Sequence, residues 1–325
     1  MANSTTSDYL KGLGTFFTFY IITGTLAAAP NLLLALTILR FEALRSFNYY
    51  LLVAAQSVAD ILNMTGYIAA GVSVLRLIGE DRFFAVKRLG DCLLKPSRLL
   101  WGLAGDRLVY LMQLTMALDR LLSILFPLQY IGFGNSYAVA LISAAYGFVL
   151  GLGGVGYLLL YPKRHLKIRG ACGSVVKHTG DLYYFYYQTS AQVYELLSIV
   201  VYITVLAIYR RKRLAVAVEG LQRSEELSEQ KKFTVSLLLN CAACALLHMV
   251  PYSLGQLAGR VKFPSYFSQI FFLTSNLYPL VDVLLYMKRH SEVRLAMKAL
   301  LKFKRMPASL RQWNANQQAR SSQKA

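Results

Sequence analysis

The sequence predicts an all-α membrane protein: a seven-transmembrane helix bundle with a short amphipathic eighth helix behind it. Three observations carry that reading. The 325 residues are 56% hydrophobic and only 16% charged, where a soluble domain carries about a quarter of its residues charged. Seven apolar segments recur along the chain, each of at least about 20 residues, enough for a helix to cross a hydrocarbon core of roughly 30 Å. A basic run, MKRHSEVRLAMKALLKFKR, follows the last of them directly, and Lys and Arg collect on the cytoplasmic side of spans.

The first span is expected at 14–39, after an amino-terminal segment, 1–13, that lacks the basic start and small-residue cleavage site of a removable leader. Asn3-Ser4-Thr5 in that segment is an acceptor for N-glycosylation, which requires an extracellular amino terminus. The remaining spans read as 47–75, 98–126, 136–161, 183–209, 233–258 and 265–287, so 14–287 forms one bundle. In YRRKRLAVAVEGLQRSEELSEQKK the charges fall at helical spacing, which extends the fifth and sixth helices beyond the membrane. Within 288–305, Val293, Met297, Leu300 and Leu301 share one face while Arg294, Lys298, Lys302 and Lys304 lie elsewhere, the pattern of a helix lying on the inner membrane surface. Residues 306–325 are polar and read as a disordered cytoplasmic tail.

The formal net charge is +19. With the amino terminus outside, the cytoplasmic segments hold 20 of the 35 Lys and Arg and the outer ones 14, leaving Arg107 in mid-helix. A basic tail beside a membrane meets anionic lipid rather than nucleic acid. The same sidedness sorts the four cysteines. Cys92 and Cys172 fall on the oxidising side and can be bridged, or both can be free. Cys241 and Cys244 fall inside the sixth span, where cysteine behaves as a small apolar residue.

A charge at the centre of a membrane helix costs about 2.5–3.5 kcal/mol on insertion scales, so each such residue is a candidate for function. They are Asp60, Asp106, Arg107, Glu195 and Asp282, joined by uncharged Asn31, Gln56, Asn63, Gln113, Gln192, Asn240, His248 and Asn276. Interhelical hydrogen bonding accounts for Asn63, Gln113 and Asn240 without further purpose. No zinc-ligand spacing, His–Glu pairing or serine elbow is present, so nothing points to an enzyme.

At the inner end of the third span stands Asp119-Arg120, followed by Pro127-Leu128. This resembles the Asp-Arg-Tyr…Pro-Leu signature of rhodopsin-like (class A) G-protein-coupled receptors. Asn31 in PNLLLAL, Asp60 in LLVAAQSVAD, Pro251 in HMVPY and Asp282–Tyr286 in DVLLY resemble that family's marks on helices one, two, six and seven, and the two outer cysteines fit as well. LRSFNYYLLVAAQSVAD, ALDRLLSILFPLQY and YMKRHSEVRLAM look closest to nematode serpentine chemoreceptors of the Srsx type. There are departures. Leu121 replaces the tyrosine of the signature, and His248-Met249-Val250-Pro251 replaces Cys-Trp-x-Pro. Helix four lacks its tryptophan and helix five its proline, Val283 stands where helix seven should have proline, and Lys231 stands where an acid would face Arg120.

The resemblance implies a plasma-membrane receptor for an extracellular small molecule or short peptide, coupled to a heterotrimeric G protein. Arg120 rests against Asp119 and is freed when helix six swings outward at Pro251, a residue that removes a backbone hydrogen bond. Tyr286 and Tyr202 then reach it. Without an acid near Lys231, appreciable basal activity follows. Asn31, Asp60 and Asp282 would hold a sodium ion, the one cofactor implied. Asp106, Gln192, Glu195 and Tyr252 would line the ligand pocket, with Asp106 also able to pair with Arg107. The rival reading, a proton- or cation-coupled transporter or channel, would use the same carboxylates, but the sequence shows neither an inverted repeat nor a pair of broken spans. Retinal is excluded because 265–287 contains no lysine for a Schiff base.

Overall fold

The computed structural model describes residues 4–93, 105–169, 178–218, 241–251 and 276–302, with single positions at 235, 238, 239, 253, 254 and 274. Helix α1 spans Ser4–Arg40, α2 Asn48–Gly79, α3 Gly105–Leu125, α4 Asn135–Leu160 and α5 Asp181–Val218. All five contain a stretch long and apolar enough to cross a membrane. Helix α6 is described over 241–251, α7 is Tyr278–Arg289 and α8 is Ser291–Leu301. The first span is thus helical well before its apolar run begins at residue 14, and α5 continues past 209 to Val218 as its charge spacing predicts.

Side chains sort by solvent. Leu34, Leu52, Leu108, Met112, Tyr202 and Tyr278 fill the main core, while Phe148, Leu158 and Leu246 are left exposed on the bundle's outside, where a lipid-facing helix wants them. Small residues set the closest approach. A Cβ on Gly71 of α2 would lie 2.9 Å from Ile21 Cγ1 and 3.0 Å from the Phe17 carbonyl of α1, so glycine lets the two helices meet. Gly156 of α4 does the same for Tyr183, whose hydroxyl donates to the Leu152 carbonyl at 3.0 Å.

Three departures from regular helix position the functional residues. In α6, Pro251 has no N–H to offer the preceding turn, and residues Ala245–Met249 widen into a π turn. Of the span read at 265–287, residues 274 and 276–287 are described. Asn276 and Leu277 form a turn, Leu277 N–H bonding the Thr274 carbonyl at 3.1 Å, and α7 restarts with Pro279 in its first turn, where no N–H is needed. The proline that the resembled family carries at position 283 is Val283 here, and the proline of this helix stands one turn earlier, at Pro279. Between α7 and α8, His290 takes an extended conformation (φ −107°, ψ 93°) that turns the chain into the last helix.

At the opposite end of the bundle, β1 (Val86–Arg88) pairs antiparallel with β2 (Lys167–Arg169), Lys87 opposite Ile168. The pair joins the loop after α2 to the loop after α4 over Leu89, Cys92, Leu93, Leu160 and Ile168. Strands of three residues leave too little period-2 pattern to be read from sequence.

Candidate functional site

The end of α3 carries a fully buried Asp119 next to Arg120. Arg120 Nε donates to Asp119 Oδ2 at 2.9 Å, and Nη2 reaches the same oxygen. Tyr130 closes the group: Arg120 Nη2 donates to its hydroxyl at 2.9 Å, and that hydroxyl donates to Asp119 Oδ1 at 2.9 Å. Burial raises the Tyr130 phenol above its ordinary value, so the proton it donates stays in place. Pro127 positions Tyr130, because it starts the short helix Pro127–Ile131 that turns the chain back under α3. Asn48 Nδ2 fixes the following loop by donating to the Phe133 carbonyl at 3.0 Å.

Beside this group the aromatic rings run on without a gap. The Arg120 guanidinium carbon lies 4.9 Å from the Tyr49 ring centroid and 5.8 Å from that of Tyr130. Tyr49 meets Tyr286 at 6.5 Å and His290 at 6.1 Å, and Tyr286 meets His290 at 5.8 Å. At the elbow, Tyr50 donates to Glu292 Oε1 at 2.6 Å, and His290 Nδ1 lies 3.2 Å from the same oxygen. Burial opposes ionisation of Glu292, but hydrogen bonds from His290 and Tyr50 outweigh it and bring the carboxyl down to about 2.

A second polar assembly crosses the middle of the bundle. Asp60 of α2 and Asp282 of α7 are both fully buried and lie within each other's electrostatic reach. Gln56 Nε2 donates to Asp60 Oδ2 at 3.4 Å, and Asn31 Nδ2 donates to the Pro279 carbonyl at 3.1 Å, tying α1 to α7. Asp60 Oδ1, Asp282 Oδ1 and Asn31 Oδ1 have no hydrogen-bond partner among the described residues. Gln113 of α3 bonds the Tyr278 hydroxyl. Farther across, Glu195 Oε2 of α5 lies 3.2 Å from His248 Nδ1 in the π turn of α6, and the Tyr110 ring packs on His248 at 4.5 Å.

Six of the sequence-identified residues thus fall into two groups: Asp119, Arg120 and Tyr286 near one end, Asn31, Asp60 and Asp282 in the middle. Tyr202 is buried in the core, Pro251 is buried in α6, and Gln192 is half-buried on α5. Arg107 caps the Tyr187 ring at 3.4 Å and donates to the Tyr187 carbonyl at 3.2 Å. Cys172, Lys231, Asn240 and Tyr252 lie outside the described residues, as do the side chains of Asp106 and Leu128. Sequence reasoning missed Tyr49, Tyr130, Tyr278 and Glu292. Three of them left a signal, since Tyr49, Tyr130 and Glu292 lie within the family-like stretches LRSFNYYLLVAAQSVAD, ALDRLLSILFPLQY and YMKRHSEVRLAM.

Residues 24–298 match the family model described as serpentine type seven-transmembrane G-protein-coupled chemoreceptor, Srsx. A comparison with curated proteins finds no significant match. With most of its length covered, including both polar groups, the chain belongs to the Srsx family of serpentine seven-transmembrane G-protein-coupled chemoreceptors.

Proposed function

We propose that this chemoreceptor lies in the plasma membrane with its amino terminus outside, binds a small extracellular molecule, and activates a heterotrimeric G protein through outward movement of α6. The observation that carries the reading is Arg120, held by Asp119 and Tyr130 at the end of α3. Pro251 and the π turn just before it make α6 the element that can bend, and opening there would let Arg120 meet the G protein's terminal helix. The rhodopsin-like motifs support the same mechanism.

Two further assignments belong to this reading. Cys92 is disulfide-bonded while Cys241 and Cys244 are free, which supports Cys172 as its partner across the outer loops. The unpartnered oxygens of Asn31, Asp60 and Asp282 suit a hard monovalent cation, and sodium is the ion they would hold. Asp60 and Asp282 would supply the countercharge and Asn31 a neutral oxygen.

The experiment is G-protein activation in cells, measured against small volatile and water-soluble compounds. Arg120→Ala is expected to abolish or severely reduce the response at unchanged surface expression. Asp119→Asn is expected to raise basal activity, since the arginine loses its charged partner. Parent-like signalling by both variants would overturn the mechanism.

A further inference from the structure

We infer that Tyr49 is the restraint that holds Arg120 to a neighbouring helix in the resting receptor, and that it links this arginine to the α7–α8 elbow. The inference rests on the receptor reading above and names how its switch is held. Asp119 precedes Arg120 on the same helix and Tyr130 follows on the adjoining turn, so neither fastens α3 across the bundle. The Tyr49 ring, on α2, lies 4.9 Å from the guanidinium carbon and is itself 5% exposed. A cation over a desolvated ring face is attracted by the ring quadrupole, more strongly than at a wet surface.

The same ring has a second neighbourhood. Tyr286 and His290 lie against Tyr49, and His290 is fixed through Glu292 to Tyr50, one residue along α2. A shift of α7 at Tyr286 therefore displaces the ring that Arg120 rests on. Release of the arginine is coupled to the elbow through the Tyr49 side chain.

The test is basal nucleotide exchange on a purified heterotrimeric G protein, in membranes matched for receptor amount. Tyr49→Leu is expected to raise the basal rate about fivefold to tenfold, the effect of losing one desolvated cation–π contact on a two-state equilibrium. Tyr49→Phe and Tyr49→Trp keep a ring face and are expected to stay within about twofold of the parent. If the leucine variant does not reach the membrane, position 49 is filled with phenylalanines of increasing fluorination, which drain the ring face at nearly constant size. A basal rate climbing with fluorination supports the inference, and a flat series overturns it. Asp119→Asn is run alongside. A rise there with parent-like Tyr49→Leu overturns the role of Tyr49 and leaves the receptor mechanism standing. No rise in either overturns both.

Discussion

Glu195 and His248 illustrate what single residues decide in this bundle. Their side chains are 1% and 3% exposed and meet across α5 and α6 at 3.2 Å, so neither has bulk water to fall back on. Removing one partner from a buried pair costs about 3–5 kcal/mol because the other keeps its desolvation penalty, whereas replacing both by apolar groups is often neutral. Glu195→Leu and His248→Phe are each expected to lower thermal stability in detergent, and the double variant to recover most of the loss. Additive losses in the double variant would show that the pair is not coupled. Sequence reading finds both residues without finding their contact: Glu195 is assigned to the ligand pocket, and His248 stands among the intramembrane polar residues and in the departure from Cys-Trp-x-Pro. Fifty-three positions separate them, and helical periodicity says which residues share a face of one helix, not which faces meet.

Among elements, the spans were legible because an apolar run of that length has few soluble alternatives. Their ends and breaks were not. Val283 in place of proline removed the expected mark on helix seven, while Pro279, one turn earlier, was read as part of an unbroken run. The boundary between the last span and the amphipathic helix is expected at 287/288 and falls at His290; its exact place is not legible because one extended residue does not disturb the spacing of Val293, Met297 and Leu300. What holds that elbow is Glu292. Its carboxyl is lowered from 4.5 to about 2, so the folded state binds its proton more weakly than the unfolded chain. Its stabilisation is then complete above about 4.5 and fades as pH falls toward 2. Glu292→Gln should reduce thermal stability by about 1–2 kcal/mol at neutral pH, the size of a hydrogen-bond set to a charged group discounted for partial exposure. The gap between parent and variant should be flat from about pH 8 to about pH 5 and narrow only below that. A gap that instead changes between about pH 8 and about pH 5 would show that the Glu292 carboxyl is not the group that sets it.

At the scale of the whole molecule, the middle of the bundle gathers polar side chains from several helices into a region that the hydrocarbon outside cannot solvate. Asn31 comes from α1, Asp60 from α2, Gln113 from α3, and Tyr278 and Asp282 from α7. The sequence pointed to the convergence of Asn31, Asp60 and Asp282 through motif resemblance, since no local pattern joins positions more than two hundred residues apart. The physics gives it a consequence. Two carboxylates this close in a water-poor core cannot both remain ionised without a counter-ion, and each leaves one oxygen unpartnered among the described residues. We therefore expect the pair to take up one sodium ion or one proton. In detergent, the parent should be more stable in sodium than in potassium chloride at equal ionic strength, by about 1.4 kcal/mol when sodium is near tenfold above its dissociation constant. Asp282→Asn removes one of the two like charges and should be tolerated, or even fold better, with the sodium effect reduced. Asp60→Asn should abolish that effect and change how basal signalling responds to sodium and to pH. The decisive comparison is the melting temperature of the parent and the two variants in the two salts. Identical salt responses in all three would mean that the carboxylates do not act on one ion, and that their charges are met separately by the helices that carry them.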